Sequence, residues 1–395
     1  MIRGCWARLA LAAVCLLTGL TGCKGFWDAP AGGGGNTPIS GNFYVVNVQT
    51  NQIAGYTVSS TGTLTALPGS PYAVPSTLLP SPAITISPNN SFLYLGTTTG
   101  IYLYNIAADG SLSLGNSSGP ISTDQAVSMQ VDSTNSWLVN VSAAAPYVYA
   151  IAISPSTGEI TSKQEQIRQL PAATVRQVVI SPDNSYLFIA MGAGGTATIP
   201  FVAANANPIG TAVSTIAPIS SAGASLSVAV DPLGLAGQTT PRLFYIGETA
   251  AVSGSDSGGL RVFDFSTFKE LSGSPMATEG LAPYWITPKS TGDYVYVVNR
   301  QTSAGQTGVI AGYSIASSGS TFTLTELSTT FNAGTNPEAK VQDNSGSYLL
   351  AVNYGGNPDL SGYTFSTTSA GALVSSLSSA TGSDPVLASA IAAAH

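Results

Sequence analysis

One unit recurs along this chain and limits what it can fold into. A short turn built on Ser, Asp, Pro or Asn is followed at once by an apolar run. Ser87-Pro88-Asn89-Asn90 precedes Phe92-Leu93-Tyr94-Leu95, and Ser181-Pro182-Asp183-Asn184 precedes Tyr186-Leu187-Phe188-Ile189. Asp132 precedes Trp137-Leu138-Val139, Asp231-Pro232 precedes Leu243-Phe244-Tyr245 after an insert, and Asp343 precedes Tyr348-Leu349-Leu350. Around Pro283–Ile315 the full unit is visible: a first alternating run (Tyr284, Ile286), a turn through Thr291-Gly292-Asp293, a second run Tyr294–Val298 and a third from Val309. Period-two alternation broken by Gly, Pro and Asp predicts strands joined as a meander, and a repeat constrains the fold more than any single motif.

A Gly two residues before an apolar one marks the next turn, at Gly62-Thr63-Leu64, Gly110-Ser111-Leu112, Gly158-Glu159-Ile160 and Gly371-Ala372-Leu373. Such turns need the positive φ that Gly adopts freely. Second runs occur at Tyr44, Tyr94, Leu138, Leu187, Tyr245, Val295 and Leu349. Seven units of four strands predict an all-β, seven-bladed β-propeller of antiparallel blades. The unit at Phe43 lacks a first strand, and Ser383–Ala388 begins a first run with no second. The region Val386–Ala392 is therefore predicted to complete blade 1 and close the ring.

The chain divides into three parts. Residues 1–22 read as a signal peptide: Arg3 and Arg8 flank the start of an apolar run, Leu9–Leu17, too short to span a bilayer. The run ends in Leu20-Thr21-Gly22-Cys23, small residues before a Cys, which resembles the bacterial lipobox. This predicts lipidation of Cys23, a membrane partner reached through that anchor, and a place in the cell envelope, on the periplasmic or outer-membrane side. Residues 23–40, with Gly32–Gly35, form a flexible tether, and 41–395 the propeller.

Composition removes several chemistries. Cys5 and Cys15 fall in the signal peptide, so once Cys23 is acylated no disulfide or thiol nucleophile remains. The chain has one His, the terminal His395, read as part of a disordered tail; a zinc site and a Ser-His-Asp hydrolase both lack ligands or base. No metal and no cofactor are expected; Ser255-Asp256-Ser257 offers one carboxylate and reads as a solvated turn. With 12 Lys and Arg against 19 Asp and Glu and no basic cluster, nucleic acid is not an expected partner, and the protein is expected to be a monomer.

The runs Tyr294-Val295-Tyr296-Val297-Val298-Asn299-Arg300 and Tyr44-Val45-Val46-Asn47 resemble the YVTN-type repeat of the seven-bladed lactonase propellers, which include 6-phosphogluconolactonase and carboxymuconate cyclase. The resemblance implies a lactonase-like protein. Ring opening of a lactone needs a partner for the developing oxyanion, a general acid or base and often a cation for a substrate anion. Gly247-Glu248 and Asn299-Arg300 match the family's places at the second-strand ends of adjacent blades, implying Glu248 as acid or base and Arg300 as anion clamp. Arg176, Gln177, Tyr284, Lys340 and Asn353 are placed on the same rim as ligand-binding residues. The chain departs from the family in having Arg176-Gln177 and Ser225-Leu226 where its enzymes carry His, which removes a His-dependent mechanism. Two readings remain open: hydrolysis of a sugar-derived or carboxylated lactone, or non-catalytic binding of a glycan, small ligand or partner protein on the rim.

Overall fold

The computed structural model describes residues 41–395 except 117–118, 162–165, 173, 234–237, 254–256, 301–306, 320, 357 and 379–384. The signal peptide, Cys23, the tether and Asp256 lie outside the described residues. The ring comprises seven antiparallel sheets, and no helix occurs among the described residues. From the channel outward, blade 2 runs Ile84–Ile86, Phe92–Thr97, Gly100–Ile106 and Leu112–Leu114. Blades 3 to 7 repeat this order, with inner strands Ala126–Val131, Gln177–Ile180, Ser225–Val230, Pro283–Pro288 and Pro337–Gln342.

Blade 1 is built from both ends of the domain. Its inner strand is Ala388–Ala393, paired antiparallel with Asn42–Asn47 so that Tyr44 faces Ala392 and Val45 faces Ile391. The closing strand begins two residues inside the predicted region and runs one beyond it. His395 corrects the expectation of a disordered tail. Its amide donates to Asn90 Oδ1 at 2.7 Å, its carbonyl accepts from Asn90 Nδ2 at 2.9 Å, and its Nε2 lies 3.2 Å from the Ile86 carbonyl.

The unbroken apolar runs follow from where second strands sit. Seven apolar clusters each lie between two neighbouring blades, and second-strand residues alternate between the cluster on either side. Tyr44 and Val46 pack toward blade 2 while Phe43 and Val45 pack toward blade 7. A strand covered on both faces has no solvent side to make polar, so its sequence reads as one apolar run.

The first turn is equally regular. The amides of Ser87, Asp132, Ser181, Asp231, Lys289 and Asp343 each donate to the carbonyl of the first second-strand residue. Three residues on, the chain turns left-handed at Asn90, Asn135 and Asn184 (φ 57°, 56° and 55°) and at Gly292 and Gly346 (φ 70° each). Asn is one of the few L-residues that occupies this region at low cost. It also stitches the ring: Asn135 Oδ1 accepts from the Asn89 amide of the preceding blade at 3.2 Å.

Candidate functional site

The channel mouth lies where inner strands begin, and there the pairing slips. In blade 6, Pro283 pairs with Asn299 but Trp285 with Val298, leaving Tyr284 as an extra residue. The same bulge frees Glu338 in blade 7, Leu226 in blade 5, Val127 in blade 3 and Ser389 in blade 1. Arg176 of blade 4 and Pro82 of blade 2 hold the matching place in sequence, offset from Ser181 and Ser87 as Leu226 is from Asp231. A bulge re-aims one side chain out of the regular alternation. All seven residues line one cavity of about 250 Å³ at the mouth, so every blade contributes at least its bulge-position residue to it.

This ring is chemically lopsided. Pro82, Val127 and Leu226 are apolar; Arg176, Tyr284, Glu338 and Ser389 are not. Behind the ring, Arg300 follows the end of blade 6's second strand. Its Nη2 lies 2.7 Å from Glu338 Oε1, and its guanidinium sits 5.0 Å from the Tyr284 ring centre. Burial raises the Glu338 carboxyl above its ordinary range, and the Arg300 charge opposes that rise. Burial also raises the Tyr284 phenol, helped by the Glu338 charge and opposed by Arg300 and Arg176. Arg176 is in no ion pair among the described residues.

Of the residues expected from sequence, Arg176, Gln177 and Tyr284 line this cavity, and Arg300 supports it through Glu338. Gln177 has a second use: its Oε1 accepts from the Val228 amide at 2.9 Å and ties blade 4 to blade 5.

Glu248 is corrected. Its carboxylate accepts from the Ile219 amide at 2.6 Å and meets Arg261 Nη1 at 3.0 Å, while Arg261 Nη2 holds Glu270 at 2.7 Å. Its side chain is 1% exposed, and it is not among the cavity's lining residues. The physical reason is register. Glu248 ends its second strand as Asn299, Asn353 and Thr97 end theirs, and Arg300 lies one residue past that position. At that terminal place the side chain faces its own blade and fastens the loop there: Thr278 Oγ1 donates to Asn299 Oδ1 at 2.9 Å, and Thr97 Oγ1 donates to the Gly100 carbonyl at 2.8 Å.

Asn353 is corrected on the same ground. Its Nδ2 donates to Ser361 Oγ at 3.1 Å within blade 7, away from the mouth. Lys340 is corrected as well: it is 1% exposed, its Nζ has no hydrogen-bond partner, and it lies 5.2 Å from the Tyr296 ring centre between blades 6 and 7. The bulge at Glu338 shifts the parity of this inner strand, turning Lys340 off the channel. Glu338 and Ser389 were missed for that reason, since simple alternation does not announce a bulge.

Comparison with known proteins agrees with this architecture. Residues 243–388, from the second strand of blade 5 to the start of the closing strand, match the family model described as Lactonase, 7-bladed beta-propeller. No curated protein matches the chain in sequence. A candidate 6-phosphogluconolactonase from Bacteroides uniformis superposes with a TM-score of 0.67 at 14% identity, covering 90% of this chain and 99% of that one. A second, from Bacteroides fragilis, gives 0.66 at 14% identity over 89% and 96% of the two chains. The periplasmic gluconolactonase of Pseudomonas aeruginosa gives 0.62 at 17% identity over 89% and 98%. At such identities the likeness carries the fold.

Proposed function

We propose that this lactonase-like seven-bladed propeller binds and opens a small lactone, sugar-derived or carboxylated, at the mouth ringed by Arg176, Tyr284, Glu338 and Ser389. The observation that carries the proposal is Glu338, a carboxylate in the cavity wall whose pKa burial raises and whose charge Arg300 holds in place. A general base works best with its pKa moved toward the operating pH.

In this reading Glu338 takes a proton from a water as the water oxygen bonds to the lactone carbonyl carbon. The carbonyl electron pair moves onto oxygen, and the Tyr284 hydroxyl donates to that oxyanion. Collapse re-forms the carbonyl and breaks the acyl–oxygen bond of the ring, and the departing ring oxygen recovers the proton from Glu338. Arg300 orients the carboxylate, and Arg176 is left to hold a substrate anion.

A panel of lactones assayed with wild type beside Glu338→Gln tests this. Hydrolysis that Glu338→Gln reduces at least about a hundredfold supports the base role; equal rates would refute it. One feature favours a second reading, non-catalytic capture of a glycan or small ligand: the Glu338 carboxylate already has a cation at 2.7 Å. Ligand binding with no turnover of any lactone would select that reading.

We also propose that the propeller is exported and tethered through a lipid on Cys23. Cys23→Ser should release it from the membrane fraction or leave it unprocessed. Unchanged membrane fractionation with an unchanged mature mass counts against the anchor.

A further inference from the structure

Ser389 and Arg176 occupy nearly opposite places on the ring, in blades 1 and 4 of seven. Ser389 lines the cavity and is 7% exposed, and its Oγ has no hydrogen-bond partner in the protein. A buried hydroxyl without a partner is costly unless water or a ligand completes it. The bulge that frees Ser389 lies in the closing strand Ala388–Ala393, so a ligand reaching it would touch the element that seals the ring.

Charge restricts what such a ligand can be. The charged groups acting on Tyr284 at the mouth are Glu338, Arg300 and Arg176. Glu338 and Arg300 cancel as a pair, which leaves one cation without a counter-charge. Asp124, whose Oδ2 accepts from Asn140 Nδ2 at 3.2 Å, does not line the cavity and is in no ion pair with Arg176 among the described residues. One free guanidinium matches a single carboxylate; a phosphate dianion would bring a second charge with no partner and would repel Glu338. Between the two ends, Pro82 and Val127 give one arc of the ring an apolar wall, and the other arc carries Leu226 followed by the polar Tyr284 and Glu338.

We propose that the mouth binds a hydroxylated monocarboxylate that spans from Arg176 to Ser389, and that binding it locks the closing strand of blade 1 to blade 4. Such a molecule is the ring-opened form of a lactone, so the inference deepens the preceding reading and rests on it for the identity of the site. The carboxylate takes the Arg176 fork, and a ligand hydroxyl pairs with Ser389 Oγ. Because the contact reaches Ala388–Ala393, the bound state suppresses opening of that strand, as binding to the native state alone must.

The test uses the mature protein with D-gluconate, D-glucose and inorganic phosphate at matched ionic strength. It reads affinity by calorimetry and amide exchange over 388–393 by mass spectrometry. Gluconate is expected to bind saturably and to slow exchange across 388–393, with glucose and phosphate doing neither. Arg176→Gln should weaken gluconate at least about tenfold, as for loss of a charged hydrogen bond. Ser389→Ala should weaken it about fivefold with its ligand-free melting temperature unchanged. The inference is overturned if phosphate binds as tightly as gluconate, if gluconate does not bind, if Arg176→Gln has no effect, or if saturating gluconate leaves exchange over 388–393 as it was. These outcomes separate from those of the lactonase reading. Tight gluconate binding without lactone turnover removes hydrolysis alone, and turnover without carboxylate binding removes this inference alone.

Discussion

Arg300 and Glu338 meet at 2.7 Å across the boundary of blades 6 and 7, one from the residue after a second strand, the other from a bulge in the next inner strand. The glutamate side chain is 8% exposed and the arginine 30%. The pair therefore fixes a carboxylate in the cavity wall with its cation on the solvent side. Burial alone would drive Glu338 toward its neutral form, and Arg300 is what resists it.

Arg300→Met should then move the acid limb of the pH–activity profile upward, because the lone opposing cation is gone and burial acts unopposed. The check is kcat/KM against pH for whichever lactone the wild type turns over. A limb that stays in place would show that Arg300 does not set the ionisation of Glu338. The fold should survive with a lowered melting temperature, since Glu338 loses its partner but stands at the cavity wall and can become neutral by taking up a proton.

Glu248 should behave in the opposite way. It sits in a buried chain of Glu270, Arg261 and Glu248 that also grips the loop at Ala217 and Ile219. Arg261→Met leaves Glu248 buried without its cation, which costs roughly 3–5 kcal/mol for a pair of this kind. A large fall in melting temperature with an unchanged KM for ligands at the mouth is expected. A changed KM with unchanged stability would return Glu248 to the site.

The ring itself was legible because it rests on rules that repeat: turn residues at fixed places, an apolar run wherever a strand is covered on both faces, and a first strand missing at Phe43. The site was only half legible. Arg176, Gln177 and Tyr284 belong to first strands, whose starts do reach the mouth. Lys340 was expected there as a first-strand residue too, and Asn353 and Glu248 as second-strand ends that open on the same rim. The first expectation fails because the bulge slips the register by one, and the second because second-strand ends clamp their own loops. Glu338 and Ser389 are the residues that this one-residue slip brings to the cavity; Glu338 precedes Asp343 by the same interval that separates Arg176 from Ser181, a signal that period-two alternation overlooks.

Lys340 gives a prediction about stability and pH. Burial holds its ammonium well below the usual 10.5, with no carboxylate paired to it among the described ion pairs. From the folded-state value up to 10.5 the unfolded chain thus binds a proton that the folded one does not. Stability should rise with pH across that window by as much as ~1.4 kcal/mol per unit. Lys340→Met should be more stable than wild type at neutral pH and should lose that slope. Denaturant melts of both proteins at several pH values between 7 and about 10 provide the comparison. Parallel curves would mean that the amine is hydrated or paired in solution.

Closure gives the last prediction. Deleting residues 388–395 strips blade 1 of its inner strand and leaves Phe43–Asn47 with an unpaired edge. Ala390 and Ala392 also leave the cluster shared with blade 2, and Ala388, Ile391 and Ala393 leave the one shared with blade 7. Two interfaces open at once, and a ring cannot lose one blade's inner edge without exposing the strand edges that closure hides. The deletion should therefore abolish the single cooperative unfolding transition rather than merely lower it. Removing His395 alone takes away its bonds to Asn90 and Ile86 but leaves the closing strand paired, and should lower stability by about 1–2 kcal/mol. A synthetic peptide covering 386–395, added to the truncated chain, should restore the transition by pairing with Phe43–Asn47. A truncated protein that melts like the full chain would mean that the seal of this ring lies elsewhere.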